Sequence, residues 1–323
     1  MKNIRILYHD NCFDGLASAA VFSTFHRGKI APAVEIEYEG LTHKAGQRID
    51  EGLFGEEQNV IVDFKYSASE KLTWWFDHHQ SAFLSEADEK HFRDDKSGRK
   101  FHDPTFTSCT KFIAAVAKQT FNFEDRSLQE LIHWADIIDG AQFPNAQFAV
   151  ELKDPAMKLM TVIETTRDSS LLRRIIRWMG EKPLADVVNE PEVRTTFEGL
   201  YDNHLKSIEM MRERATFTDG VIEYDISEKN IEGQNKFIPY YVFPEAVYSV
   251  GVSLSPVRAK VSVGSNPWSP RERTENLAKL CEQYGGGGHA VVAAISFKPD
   301  ALQTAQAAAR EIAQKLRASL KRA

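Results

Sequence analysis

The chain has 323 residues, enough for two domains, and its 42% hydrophobic and 27% charged residues are ordinary for a globular protein. A formal charge of −6 gives no support to nucleic-acid binding through bulk charge and leaves only a local basic patch for an anionic ligand. Three distant cysteines (Cys12, Cys109, Cys281) argue against a disulfide framework; with no leader pattern and no run of about 18 apolar residues, a cytoplasmic protein without a membrane partner is expected.

In chain order, Ile4, Ile6 and Tyr8 form a short apolar strand that stops abruptly at His9, Asp10, Asn11, Cys12 and Asp14. Leu16, Ala17, Ala20, Val21 and Phe25 then follow helical spacing, with Gly28 placed to end the helix. Val34, Ile36 and Tyr38 alternate with Glu35, Glu37 and Glu39, as in a half-exposed strand. Residues 59–64 (NVIVDF) and 72–79 (LTWWFDHH) are continuous apolar runs, as expected of central parallel strands. Residues 85–102 are charged and read as a solvated loop. Helices are expected over 110–120 and 127–138, the second opened by a Ser127–Glu130 capping box with Leu128, Leu131, Ile132 and Ala135 on one face.

From about 154 to 214 the chain is helix-rich, and 204–215 (HLKSIEMMRERA) reads as a connecting helix. Residues 238–264 are dense in Val and Tyr and read as β structure. Ser269, Pro270 and Glu272 signal a helix start and Gly285 its end. Residues 290–297 (AVVAAISF) are a strand and 301–322 an Ala-rich terminal helix. The expected fold class is α/β: a mostly parallel sheet with flanking helices over 1–190, a helical connector over 191–215, and a smaller α/β domain over 216–323.

Three polar clusters follow strands: His9 to Asp14, then Asp63, then Asp77 with His78 and His79; Asp136 joins them from a helix end. Ligands of open α/β sheets bind beyond the carboxyl ends of strands, so these clusters are expected to converge. Taken singly, each has an ordinary reading as a turn, a helix cap or a loop pair. Taken jointly, the converging carboxylates repel one another, and a divalent cation removes that penalty. Carboxylate and imidazole ligands without paired cysteines suit Mn²⁺, Mg²⁺ or Fe²⁺ better than structural zinc. A cation there supplies an acidified water and a polarised phosphoryl oxygen, the chemistry of in-line displacement.

The ordered set HDNCFDG, VIVD, DHH and ADIID, with YGGGGHAVVAAISF near the C-terminus, resembles the DHH phosphoesterase superfamily. The glycine-rich stretch is similar to the signature of the C-terminal substrate domain in its phosphodiesterase branch, the branch of nanoRNA and dinucleotide phosphodiesterases. The resemblance implies that Asp63 bridges two metal ions, that His78 and Asp136 ligate one of them, and that His9 and Asp14 match ligands of the first motif. It also implies that His79 contacts the scissile phosphate, while Asp77 orients its neighbours. Mn²⁺ is the first expectation, with Mg²⁺ or Fe²⁺ as alternatives, as one or two ions.

Many relatives carry an aspartate where this chain has Cys12. Several readings stay open: a thiolate ligating a softer ion, Asp10 taking the place, an empty first metal site, or a small buried filler. Gly285 suffices as a helix cap, whereas Gly286, Gly287 and Gly288 before His289 suggest a nest of backbone amides for an anion. The resemblance assigns this loop to the nucleotide's terminal phosphate or its surroundings. Arg258, with Ser262 and Ser265, lies where relatives contact substrate, although a solvent-facing arginine on a strand is equally ordinary.

The implied activity is hydrolysis of short oligonucleotides or linear dinucleotides to mononucleotides, extending to 3′-phosphonucleotides. The alternative is a nucleotide-binding sensor with an incomplete metal site. A pyrophosphatase would lack the glycine-rich loop, and a processive RecJ-type exonuclease would need an extended basic path with stacking aromatics. Monomer and homodimer both stay open.

Overall fold

In a computed structural model describing residues 3–42, 48–229 and 235–322, the four apolar runs of the N-terminal part become strands of a five-stranded parallel sheet, completed by a short strand from the charged segment. The strands are β1 (Asn3–His9), β2 (Glu35–Leu41), β3 (Gln58–Val62), β4 (Leu72–Asp77) and β5 (Lys100–His102), in the order β2-β1-β3-β4-β5. Every neighbouring pair is parallel. β3 and β4 are buried almost throughout because both sheet faces are covered, whereas edge strand β2 alternates exposed Glu35 and Glu37 with buried Ile36 and Tyr38.

Helices follow as α1 (Phe13–Phe25), α2 (Glu86–Asp94), α3 (Cys109–Phe121), α4 (Gln129–Asp139), α5 (Ala146–Glu151), α6 (Pro155–Thr165), α7 (Ser169–Glu181), α8 (Leu184–Val188) and α9 (Pro191–Arg214). α1 is apolar on all sides and is accordingly buried nearly all round, against β1, α3, α4 and α7. Adjacent Trp74 and Trp75 point to opposite faces of β4, as strand geometry requires. Trp74 meets Phe22 and Phe25 of α1; Trp75 packs with Leu7, Ile61 and Tyr66 on the other face. Each is essentially inaccessible, and burial of such a side chain contributes about 1.5–3 kcal/mol.

By compactness the chain divides into two units: Met1–Phe143 with Lys153–Glu198, and Pro144–Leu152 with Gly199–Ala323. The second contains β6 (Thr216–Thr218), β7 (Val221–Asp225), α10 (Ile238–Val242), β8 (Tyr248–Leu254), β9 (Ala259–Ser265), α11 (Leu277–Glu282), β10 (Gly287–His289), β11 (Val292–Phe297) and α12 (Leu302–Arg322). Its six-stranded sheet runs β10-β11-β9-β8-β7-β6, antiparallel except at β7–β8. Val250, Val252, Val261 and Val263 share a core with Ala305, Ile312 and Leu316 of α12. No described helix is long and apolar enough to cross a membrane.

Several local expectations are corrected. Residues 85–102 are not a loop: Ser85 caps α2, and β5 pairs with β4. Phe92 and His102 lie against Trp75 with ring centroids 5.1 and 5.7 Å away, so a few rings of this segment borrow an apolar surface built by β4. The Ser127–Glu130 capping box does not form. Asp125 caps the turn before α4, and the Glu130 carboxylate instead accepts the Leu184 amide at 3.1 Å. Residues 238–242 are helical, opened by Pro239 in the first turn. α11 begins only after its cap Asn276, beyond Ser269, Pro270 and Glu272.

Candidate metal centre

The carboxyl ends of β1, β3 and β4 lie side by side, and the strand order reverses its direction of growth between β1 and β3, where ligands of such sheets bind. Three backbone features shape this edge. Asn11 takes a left-handed φ of 52° and its side-chain amide donates to the carbonyls of Ile163 and Thr166, both at 2.9 Å. Asp63 also has a left-handed φ, 55°, uncommon for a residue with a side chain; its amide donates to the Phe76 carbonyl at 2.9 Å. Gly15 lets α1 start hard against β1, since a Cβ there would stand 2.1 Å from the His9 carbonyl oxygen.

Donor atoms then gather in three overlapping groups, each with its members within 4.8 Å of one another: His9, Cys12 and Asp63; Asp63, His78 and His79; Asp14, His78 and Asp139. His78 Nε2 stands 3.5 Å from Asp63 Oδ1, 3.8 Å from Asp14 Oδ2 and 3.5 Å from Asp139 Oδ2. Its Nδ1 lies 3.0 Å from the Phe106 carbonyl, to which it donates as the N–H, leaving Nε2 as the lone-pair donor, the tautomer a metal ligand needs. His9 Nδ1 is 3.3 Å from Asp63 Oδ2. His78 Nε2 and Asp63 Oδ1 are both buried without a hydrogen-bond partner. Other buried atoms, Asp77 Oδ2 among them, also lack partners, but these two face each other at 3.5 Å, which fits a cation between them.

Asp14 is 1% exposed, and its two oxygens accept the first amides of α3, Cys109 at 2.7 Å and Thr110 at 3.0 Å. The helix N-terminus thus anchors a carboxylate at the edge of the cluster. Asp77 Oδ1 accepts from the amides of His78 and His79 and pairs with His79 Nδ1 at 2.7 Å. It orients the two histidines while remaining outside the donor groups.

The electrostatics are those of a crowded anionic site. Burial, then the charges of Asp63 and Asp139, push the Asp14 carboxyl up; burial and Asp63 do the same to Asp139. Burial would also raise Asp63, but His78 and His9 outweigh it and hold that carboxyl below its usual range. Burial opposes a proton on His78, yet Asp63 and Asp14 prevail and raise it to about 10. The bond to Asp77 raises His79. Without a cation, protons on imidazoles supply the positive charge that the carboxylates require.

Of the residues singled out in the sequence, His9, Cys12, Asp14, Asp63, His78 and His79 come together. Asp10 does not join any donor group among the described residues; its carboxylate accepts the Asn11 amide and lies against Gly40. Asp136 is paired with Lys111 at 2.7 Å and accepts from Ser108 at 3.4 Å. One turn on, Asp139 enters the cluster from the last residue of α4, where the helix dipole disfavours a carboxylate unless a cation is near. In ADIID the two aspartates share a helix face, so their spacing alone could point to the pair and not choose between them.

The glycine run behaves differently. Gly285 has φ 77° and ends α11, with the Gly286 amide returning to the Cys281 carbonyl at 2.9 Å. A Cβ at Gly286 or Gly288 would stand 2.5 Å from a carbonyl of β11, while one at Gly287 would meet nothing. His289 is exposed at the end of β10. Arg258 does not join it: His289 pairs with the first residue of β11, whereas Arg258 donates to Ser296 near the last. A cation beside the glycine turn is Arg273, which spacing gave no reason to choose; it donates to the Ala290 carbonyl at 3.0 Å.

No family model and no curated protein sequence matches the chain. Solved structures do. A pGpG-specific phosphodiesterase from Vibrio cholerae aligns with a TM-score of 0.73 at 18% identity, covering 98% of this chain and 100% of that one. An exopolyphosphatase-related protein from Bacteroides fragilis gives 0.59 at 12%, covering 99% and 94%. RecJ from Thermus thermophilus, in complex with Mn²⁺, gives 0.56 at 11%, covering 97% of this chain but 52% of RecJ. At these identities the likeness is one of fold, and the chain has the DHH fold.

Proposed function

We propose that this chain, a DHH fold with converging carboxylates and imidazoles at its sheet edge, is a divalent-metal-dependent phosphoesterase. The observation that carries the reading is the facing pair Asp63 Oδ1 and His78 Nε2, both buried, 3.5 Å apart and without hydrogen-bond partners. Asp63 would be shared between ions, with His9 on one side and Asp14, His78 and Asp139 on the other; Asp139 takes the helix-end role in place of Asp136. Mn²⁺ is the first ion to test, ahead of Mg²⁺ and Fe²⁺. When bound, such ions supply an acidified water and a polarised phosphoryl oxygen.

The chain's own groups do the rest. Asp77 fixes the imidazole of His79, which contacts the scissile phosphate, and the α3 amides hold Asp14 in place. His289 and the backbone of Gly287 and Gly288 recognise an anionic group of the substrate, with Arg273 as a nearby cation; the Gly286 amide is left out because it is bonded to the Cys281 carbonyl, and Arg258 because it lies at the far end of β11. The resemblance of the motif set favours short substrates: oligonucleotides of a few residues, linear dinucleotides or 3′-phosphonucleotides, cut to mononucleotides or nucleotide and phosphate.

The test is release of nucleotide or phosphate after chelation and Mn²⁺ addition. The panel holds a linear dinucleotide, a five-nucleotide RNA, 3′-phosphoadenosine 5′-phosphate and pyrophosphate. Mn²⁺-dependent release from one of the first three is expected. A folded protein that binds Mn²⁺ and releases nothing from any of them would favour the nucleotide sensor instead.

A further inference from the structure

We propose, on the metallo-phosphoesterase reading above, that the cluster comprises two unlike half-sites, and that His9, Cys12 and Asp63 form a thiophilic one holding a zinc-class or ferrous ion through the Cys12 thiolate. The Cys12 sulfur, a ring nitrogen of His9 and a carboxylate oxygen of Asp63 lie within 4.8 Å of one another, close enough for ion–ligand distances of about 2.0–2.3 Å after small side-chain adjustments. The Asp63 carboxylate is 1% exposed and held there by left-handed backbone; its Oδ2 faces His9 at 3.3 Å, while its unpartnered Oδ1 faces His78 in the neighbouring half-site.

Cys12 is the residue before α1, with extended φ of −124°; all its sulfur offers the helix start is a weak contact with the Gly15 amide, which serine, threonine, aspartate or asparagine would replace with a stronger cap. It is not a core filler either. Cys109 and Cys281 are fully buried, and the Cys109 thiol donates to the Phe76 carbonyl, whereas Cys12 is only partly covered at the rim of the cluster.

The neighbouring half-site offers two carboxylates and one imidazole, Asp14, Asp139 and His78. Oxygen-rich donors of that kind suit Mn²⁺ or Mg²⁺, whereas a thiolate with an imidazole favours Zn²⁺, Fe²⁺ or Co²⁺. Binding at Cys12 forms a metal–sulfur bond and breaks the S–H bond, the proton passing to solvent. The consequence is a site selective for different ions in its two halves, with one carboxylate, Asp63, common to both.

Metal-stripped full-length protein titrated with Co²⁺ under anaerobic, reducing conditions tests this without recourse to activity. A sulfur-to-cobalt charge-transfer band in the near ultraviolet is expected in the wild type and in Cys109→Ala, and its loss in Cys12→Ser and Cys12→Asp. Circular dichroism of both Cys12 variants establishes that they fold. Competition binding should show Zn²⁺ preferred over Mn²⁺ at this half-site, with the preference reduced about tenfold or more in Cys12→Asp. Co²⁺ binding by the wild type without the band, or a band that survives in both Cys12 variants, overturns the thiophilic half-site and leaves the metallo-phosphoesterase reading intact. Failure of the folded wild type to bind Co²⁺, Zn²⁺ or Mn²⁺ overturns both.

Discussion

The strand-end cluster of the first unit and the glycine turn of the second both looked functional in the sequence, yet they differ in what their local structure explains. At the glycine turn, a positive φ accounts for Gly285 and close approach to β11 accounts for Gly286 and Gly288. Hairpin geometry alone would retain them. At the strand ends, Asp63 occupies a disfavoured backbone conformation and keeps a buried oxygen unsatisfied opposite an unsatisfied imidazole nitrogen. Strand geometry does not require that arrangement, and its explanation is chemical. The difference teaches that local necessity and function are separable residue by residue, even inside motifs equally conspicuous in sequence.

The largest expected effect falls on the first region. Asp63→Asn should lose all measurable hydrolysis and reduce bound Mn²⁺, with the circular dichroism spectrum preserved. His79→Ala should come next: kcat lowered by about 10²–10⁴-fold, the range for a positioned proton-transfer or phosphate-contacting group, with Mn²⁺ stoichiometry unchanged. Equal loss of metal and rate in that variant would make His79 a ligand and erase the division of labour between the two histidines.

How much of this was legible beforehand follows from the kind of signal each residue left. The central strands of the first sheet were clear because residues 59–64 and 72–79 are apolar runs ended by Asp63 and by Asp77, His78 and His79, whereas edge strand β5 lies in a segment that reads as a loop. Their convergence followed from sheet topology. Asp139 was not legible, because it shares a helix face with Asp136, and Lys111 with Ser108, at the start of α3, decide which aspartate is occupied elsewhere. α2 was hidden for a similar reason: its apolar partner surface is built by β4 and Tyr66, not by the segment itself. Glu130 had the spacing of a capping box, but a backbone amide from the start of α8 claims its carboxylate. Such misses share one cause, a partner distant in sequence.

Two smaller effects sharpen the contrast between the regions. Gly15→Ala should lower stability by about 1–3 kcal/mol, read in urea unfolding, because its Cβ would press on the His9 carbonyl at 2.1 Å. Gly287→Ala, with open space around its Cβ, should stay within about 0.5 kcal/mol of wild type. On the binding side, His289→Ala should raise KM for a dinucleotide several-fold with kcat nearly constant, the signature of lost uniform binding. An unchanged KM would reduce the glycine turn to a purely structural hairpin.

The most direct measurement on the central claim is a crystal of the chelated protein soaked in Mn²⁺, with anomalous scattering recorded at the manganese edge. A peak within ligand distance of Asp63 Oδ1 and His78 Nε2 is expected. An ordered Asp63 and His78 with no peak between them, and a water or a direct hydrogen bond in its place, would contradict the metal centre.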